Sequence, residues 1–593
     1  MIAILGKDAP PDEALARKML AAAPHRGDCV TVRRLGNCIL AVANRADFVD
    51  CAISAEGDMM AAFSGRLDNA AQLHQTLTAA GTETASLAGA DIVVAAFRAF
   101  GVDAPNRMRG VFAGAVTNGR ELWCFRDHVG FRPLFYRDNA EAFFAASEAR
   151  QVVVGAQLSE EPDLDAIEAM FFGRLGSAGP AALKGVARLA QGTSLHVTRE
   201  NGVSLRRYWD PESLLETARI NAAEARERFL ELLAQAAARS LTGNDAILLS
   251  GGLDSPAVAS FAAPEYRRRT GRPMGALSLV FPHLPSVDER PLIELVAERF
   301  GMELHTYVPT ARALDDVDEW CRRFGTPVPI LSIPEVADAY TRARQLGYRN
   351  LLTGEWAEFV FGSPLHLLPH LLTHGRLKPL ARLLVNEHHR GKSWNDLTQL
   401  LLVTFVPGRL ANSYLHWRRL DAPDRIPSWL DANKVSEFRG DLVPPSRERW
   451  RRLQLLGTEG ATISMDAEAT CAATTGVTVR RPLADIDLWE FFLRLPAEIK
   501  CPDLRFKSVV RDMLWGIVPD EILDRRKKTL FNDHSMTQVD YPTLTRLLVR
   551  PRHRMAWVNY DQLAQRIEKR EFNRFDWFWA TDLARIHAFL NAW

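Results

Sequence analysis

Apolar and polar positions change rhythm about a third of the way along this chain. Through roughly the first 200 residues the apolar positions fall in short runs. Residues 37–43, 58–63, 111–116 and 121–125 read as β-strands, with Gly, Asn or Asp near their ends. Residues 11–23, 71–79 and 91–100 instead place apolar side chains three and four apart, the spacing of amphipathic helices. Strand pairs dominate, an α+β pattern. The rhythm shifts near Tyr208-Trp209-Asp210-Pro211. A long helical pattern covers 222–239, and a buried strand follows at 246–249. Strands at 276–281, 304–308 and 350–352 then alternate with helices at 292–300 and 335–346. That alternation predicts a doubly wound parallel α/β sheet, with the boundary at about residue 210. From about 363 to 460 the pattern is helical and basic, rich in Leu, Arg, His and Trp.

Length changes the picture first. At 593 residues the chain exceeds one ordinary domain. With 73 Lys plus Arg against 72 Asp plus Glu, the net charge is +1, which gives no support for a nucleic-acid surface. The longest apolar stretches, such as 400–406, fall short of the roughly 18 residues of a membrane span. The start, Met1-Ile2-Ala3-Ile4-Leu5-Gly6-Lys7, lacks the basic region and cleavage site of a secretory signal. Seven Cys with no C-x-x-C pair argue against a disulfide scaffold and point to a reducing cytoplasm.

The sharpest chemical signal is Ala246-Ile-Leu-Leu-Ser250-Gly251-Gly252-Leu253-Asp254-Ser255-Pro256. An apolar strand enters a Ser-Gly-Gly turn and exits into a helical pattern. Ser255 suits an N-cap and Pro256 the first helical position. Two glycines allow close backbone approach, and the helix start offers free N–H groups, so the loop suits phosphate or pyrophosphate. Asp254 beside it suits Mg²⁺, which prefers one or two carboxylates plus phosphate oxygens. Walker and Rossmann glycine patterns are absent.

This loop resembles the pyrophosphate loop of the ATP pyrophosphatase family, in the form found in asparagine synthetases. Further segments follow in that family's order. Ala276-Leu-Ser278-Leu-Val-Phe is similar to its adenine-receiving strand, and Leu352-Thr-Gly354-Glu355-Trp356-Ala-Glu358 to its G-E-G-[SA]-D. Val479-Arg-Arg-Pro-Leu-Ala-Asp485 resembles R-x-P-F-L-D. Arg505-Phe-Lys507-Ser-Val-Val-Arg511 resembles R-x-K-x-L-L-R, and Arg525-Arg-Lys-Lys528-Thr-Leu-Phe resembles R-x-K-x-x-F. The resemblance implies ATP and Mg²⁺ as cofactors, with ATP bound through Ser250, Gly251, Gly252, Leu253, Asp254, Ser255, Ser278, Gly354 and Arg511. It implies Asp254 and Glu358 as metal ligands; Glu358 replaces the family's Asp and is one methylene longer. Glu355 matches the acid that positions or deprotonates the attacking amine. Lys507 matches the cation that neutralises phosphate and oxyanion charge, with Arg511 on the same face if the segment is helical. Trp356 and Phe359 replace smaller or polar residues and suit either an apolar substrate wall or the core.

The first 210 residues resemble the class II glutamine amidotransferase domain. Pro24-His25-Arg26-Gly27-Asp28, Ser64-Gly65-Arg66-Leu67-Asp68-Asn69, Arg126-Asp127…Pro133-Leu134-Phe135-Tyr136 and Ala146-Ser147-Glu148 carry the likeness. It implies an αββα Ntn-type sandwich over 1–210. An α/β pyrophosphate-loop synthetase domain then spans 211–593, with a helical insertion at about 363–460. The amidotransferase nucleophile is an N-terminal Cys, yet residue 2 is Ile, and Ser64 replaces the oxyanion Asn. Cys29, Cys38 and Cys51 do not sit at the N-terminus. The domain is therefore expected not to release ammonia.

An amine on the substrate must then be the nucleophile. Among relatives that lack the Cys, β-lactam synthetases and lasso-peptide cyclases close rings. The length and the interleaved His366, His370, His374, Trp394, Trp417, Arg418, Arg419, Trp429 and Trp450 favour the lasso-peptide cyclase. That stretch also reads as a solvated helical insert with ordinary core Trp. The three His at four-residue spacing lack a partnering carboxylate or Cys, which argues against a metal site. The expected partner is a processed precursor peptide, with a leader-binding protein and a precursor protease, and neither nucleic acid nor membrane. Small-molecule ring closure, ammonia-dependent asparagine synthesis and a non-catalytic nucleotide or peptide binder are the alternatives.

Overall fold

The computed structural model describes residues 1–172, 178–356, 367–389, 391–402, 426–431, 434, 455, 462–502, 507–525, 529 and 531–593. The N-terminal body is built on two antiparallel sheets. The seven-stranded sheet runs Gly179–Pro180, Ala187–Arg188, Phe135–Asp138, Ala142–Ala146, Ile2–Gly6, Cys38–Asn44, Cys29–Leu35. The six-stranded sheet runs Gly202–Arg207, Thr193–Thr198, Leu122–Arg126, Gly110–Thr117, Met59–Leu67, Cys51–Glu56.

Two-residue alternation explains the layering. Ala3, Leu5, Leu40, Val42, Met60 and Ala62 point between the sheets and form one apolar layer. Their neighbours Ile2, Ile4, Ile39 and Ala41 point the other way, packing with Met19 and Leu20 of the helix Glu13–Ala21 and Val152 of the helix Ala149–Gly155. On the far sheet Ala61 and Phe63 meet Val93 and Phe97 of the helix Gly89–Phe100. The result is the αββα sandwich. The strand Ile2–Gly6 was not anticipated from its pattern: it is buried on both faces, so it has no polar alternation to read.

The second body is an α/β unit on a five-stranded parallel sheet, ordered Glu303–Tyr307, Gly275–Leu279, Asp245–Leu248, Asn350–Leu352, Thr478–Arg480. Numbered along the chain, that order is 3-2-1-4-5. The winding reverses between Asp245–Leu248 and Asn350–Leu352, where an open α/β sheet leaves a crevice at its carboxyl edge. The helix Ala222–Ser240 precedes the first strand, and Asn221 caps it through a reciprocal capping box with Glu224.

Within the basic helical region the described helices are Leu367–Thr373, Leu377–His389 and Trp394–Leu402. His366, Trp417, Arg418, Arg419 and Trp450 lie outside the described residues. His370 is buried, 3.1 Å from the Glu216 carboxylate, and ties its helix to the α/β body. Trp429 is not a surface residue: it is fully buried and donates to Asp576 at 3.0 Å. No described helix is long and apolar enough to cross a membrane.

Candidate active site

The strand Asp245–Leu248 leads through Leu249–Leu253 into the helix Asp254–Thr270. This helix starts earlier than expected, so Asp254 is its first residue, with Ser255 and Pro256 behind it in the same turn. Pro256 is tolerated there because first-turn N–H groups have no intrahelical partner. Ser255 does not cap the helix. Its hydroxyl accepts from the Ser250 amide at 2.9 Å and lies 3.1 Å from the Ser250 hydroxyl, pinning the two ends of the loop together.

Gly354, just after the neighbouring strand, abuts this loop. A Cβ there would stand 2.3 Å from the Ser255 amide nitrogen, so only glycine fits. The two loops that border the switch point are thus in contact. Glu355 follows, its carboxylate accepting from Thr353 Oγ1 at 3.2 Å and Arg481 Nε at 3.0 Å. Its side chain is 42% exposed. Arg481 in turn pairs with Glu468.

Lys507 is buried and its ammonium pairs with the Asp254 carboxylate. It does not lie inside a helix, as its spacing to Arg511 suggested. It caps the helix Ser508–Met513 in a left-handed conformation, φ 57°. Arg511 commits its Nη1 to the carbonyls of Ile522 and Leu523. The Gly251 amide donates to Glu289 at 3.0 Å, and Arg525 bridges Glu289 and the Gly251 carbonyl at 2.7 and 2.9 Å. Glu289 went unnoticed in the sequence. The one signal for it was an acid just before the helix Arg290–Phe300, itself soon after the strand Gly275–Leu279. Ser278 on that strand is 1% exposed, and its hydroxyl has no hydrogen-bond partner among the described residues. Glu358, Arg505 and Lys528 lie outside the described residues.

A family model for asparagine synthase matches residues 228–590, more than half of the molecule. The chain belongs to the asparagine synthase family. This is an ATP-dependent, amide-forming ligase family. A second model, the glutamine amidotransferase domain, matches residues 1–209. Asparagine synthetase [glutamine-hydrolyzing] 3 of Bacillus subtilis (strain 168) is 24% identical over 80% of this chain and 75% of its own length. A putative asparagine synthetase [glutamine-hydrolyzing] of Mycobacterium bovis (strain ATCC BAA-935 / AF2122/97) is 25% identical over 78% and 73%. Among solved structures, the glutamine phosphoribosylpyrophosphate amidotransferase from B. subtilis covers 53% of this chain and 82% of its own. At 15% identity and a TM-score of 0.27, it carries no argument.

The family's amidotransferase motifs here serve structure. Ile2 is fully buried among Ile4, Ile39 and Ala146, and Ser64 is 2% exposed within the strand Met59–Leu67. Cys38 lies in the apolar layer between the sheets, where burial pushes its thiol up to about 11, away from the thiolate a nucleophile needs. Asp127 accepts from the amides of Val129, Gly130, Phe131 and Arg132 at 2.7–3.1 Å, shaping its own turn. Arg126, fully buried, donates to the carbonyls of Gly130, Arg132 and Leu189 and to Asp466 of the second body at 2.7 Å. Glu148 bonds His25 and Arg26 and accepts from Thr470 across the joint. Burial alone would raise its carboxyl, but the Arg26 guanidinium and His25 reverse this and hold it at about 2.

The same joint explains Trp356. It is 6% exposed and stacks edge-on against Phe131 of the first body, with ring centroids 5.5 Å apart. It belongs to the shared apolar core with Trp489, Leu253 and Ala257, so it is core and no open wall of a substrate pocket. Asp485 is also structural. It caps the helix Ile486–Arg494 and pairs with Arg239, while burial pushes its carboxyl up to about 6.

Proposed function

We propose that this chain is an AMP-forming ligase that closes a ring within a peptide. An Asp or Glu side-chain carboxylate is adenylated, and the peptide's own N-terminal amine then forms the amide. The observation that carries the reading is the convergence of the Ser250–Ser255 loop, Lys507 and Glu355 on one crevice, in a chain whose Ile2 offers no thiol for glutamine hydrolysis.

The donor set fits the nucleotide. The helix Asp254–Thr270 directs its first N–H groups at the loop, suited to the pyrophosphate portion. The unsatisfied Ser278 hydroxyl on the next strand is a polar atom awaiting a partner. Asp254, with Glu358 outside the described residues, would hold Mg²⁺, which would neutralise charge on the phosphates.

The chain's own residues then divide the work. A peptide carboxylate oxygen attacks the α-phosphorus of ATP, and the bond to pyrophosphate breaks. Lys507 leaves its pairing with Asp254 for the phosphate oxygens, where negative charge is growing. The amine nitrogen attacks the acyl carbon, the bond to AMP breaks, and the ammonium proton passes to Glu355 and on to solvent. Glu355 is free to take it because its side chain is partly exposed and oriented by Thr353 and Arg481. Ring closure depends on the peptide being held with its amine against the activated acyl group. Such a peptide would arrive as the processed core of a precursor, with a leader-binding protein and a protease upstream.

ATP–pyrophosphate exchange tests this. Exchange that requires a peptide with a free N-terminus and an internal acid supports the reading. Exchange with aspartate alone selects a second one, asparagine formation from ammonia; the names of the relatives, glutamine-hydrolyzing asparagine synthetases, favour asparagine as the product.

A further inference from the structure

A cavity of about 650 Å³ has none of the residues Ser250–Ser255, Glu355 or Lys507 in its lining, and the proposed mechanism makes no use of it. It is bounded by the start of the helix Ala222–Ser240, the helix Leu377–His389, residues 498–502 and the helix Ser508–Met513. Its volume falls within the range of small-molecule sites. The floor is apolar: Leu383, Val509 and Met513 line it, each no more than 3% exposed.

Its charges are uneven. Arg226, Lys378 and Arg382 line the cavity, against Glu498 and Asp512. Glu498 is already taken by Arg376, 2.7 Å away and outside the lining. Arg226 reaches the Trp515 carbonyl at 3.0 Å with one guanidinium nitrogen. Lys378 and Arg382, one helical turn apart, make no hydrogen bond or ion pair among the described residues. Two exposed cations on one helix are ordinarily a solvated face. Here they stand beside Leu383, at a cavity whose floor is apolar.

We propose that this cavity is a binding site for a small organic acid with an aliphatic or aromatic body. The body would fill the apolar floor, and the carboxylate would lie between Lys378, Arg382 and Arg226, where charge-assisted hydrogen bonds are strongest. A cationic or neutral ligand of the same shape would leave those charges unanswered. The site needs no turnover, so its test is independent of the peptide-ligase reading.

Calorimetric titration of the full chain with 4-phenylbutyrate, 4-phenylbutanol and 4-phenylbutylamine measures the preference directly. The proposal expects one-site binding of phenylbutyrate, with the alcohol and the amine weaker by roughly tenfold or more. Lys378→Glu/Arg382→Glu, which changes only exposed side chains, should weaken phenylbutyrate by a similar factor. Leu383→Trp, which fills the floor, should abolish binding of all three. Equal affinity for the three probes, no binding of phenylbutyrate, or wild-type affinity in the double charge variant would overturn the site. Tighter binding of a capped Leu-Glu-Leu peptide than of phenylbutyrate would overturn its assignment to a small free acid.

Discussion

The two halves of this chain keep the motifs of two enzymes in opposite ways. In the amidotransferase half, Arg26, Arg126, Asp127 and Glu148 are all buried: Asp127 holds backbone amides, Arg126 and Glu148 reach the second body, and Arg26 pairs with Glu148. In the synthetase half, Ser250, Glu355 and part of Asp254 open onto a crevice at the carboxyl edge of a parallel sheet. A motif therefore persists for either of two physical reasons. It can fold a turn and glue a joint, or it can present groups to a reactant. Burial and bonding separate the two where the letters alone do not.

The largest effect belongs to the loop. Asp254→Ala should abolish ATP–pyrophosphate exchange, because it removes the carboxylate suited to the metal and the one paired with Lys507. Exchange near the wild-type rate would detach the loop from the chemistry and erase the contrast between the halves.

On the other side of the comparison, Arg126→Ala should leave active-site residues untouched yet lower stability by about 1–3 kcal/mol, because the carbonyls of Gly130, Arg132 and Leu189 lose their buried donor while Asp466 keeps Arg188. Differential scanning calorimetry reads this. A loss within a few tenths of a kcal/mol would mean that the motif arginine does not hold the joint.

Lys507→Met should cost on the order of 10²–10³ in turnover while ATP affinity stays within a few fold. Lys507→Arg should rescue only in part, since a planar guanidinium does not replace a point charge. Full turnover in the methionine variant would make Lys507 a structural cap for its helix and nothing more.

The joint has a pH signature of its own. Glu148 is held at about 2 against an ordinary 4.5, so its stabilising contribution is complete above pH 4.5 and is lost as pH falls through about 2. Across that window the wild type should lose about 3 kcal/mol more than Glu148→Gln. Parallel urea denaturation curves for the two proteins at each pH would show that Glu148 carries no such charge pairing. The smallest change expected is none at all: Ile2→Cys should not produce glutamate from glutamine, since Ser64 still stands where the oxyanion donor belongs.

Much of this architecture was legible where apolar runs end at turn residues or apolar positions recur at helical spacing. The helices 222–239 and 91–100 and the strands 111–116 and 121–125 were placed within a residue or two by periodicity alone. The strand Ile2–Gly6 carries no alternation because both its faces are core. The site was legible where function depends on local order: Ser250 through Leu253 and Gly354 sit on short loops after strands, and Asp254 and Ser255 open the helix that follows the first of them. Lys507 shares a helix face with Arg511 only if the helix includes it, and a four-residue spacing cannot reveal the left-handed cap found there. Trp356 stayed open between a substrate wall and the core because nothing local to it announces Phe131, which comes from more than 200 residues earlier in the chain. Glu289 and Arg525 meet at the loop from segments 236 residues apart, a pairing that only the fold can make.

The most direct test of the central claim is the product formed from ATP. The full chain would be incubated with ATP, Mg²⁺ and a peptide that has a free N-terminus and an internal Asp or Glu, and in parallel with aspartate, glutamine and ammonium. The account predicts AMP, pyrophosphate and a peptide lighter by one water in the first mixture, with no glutamate formed in the second. Glutamate and asparagine from the second mixture, with the peptide unchanged in the first, would contradict it.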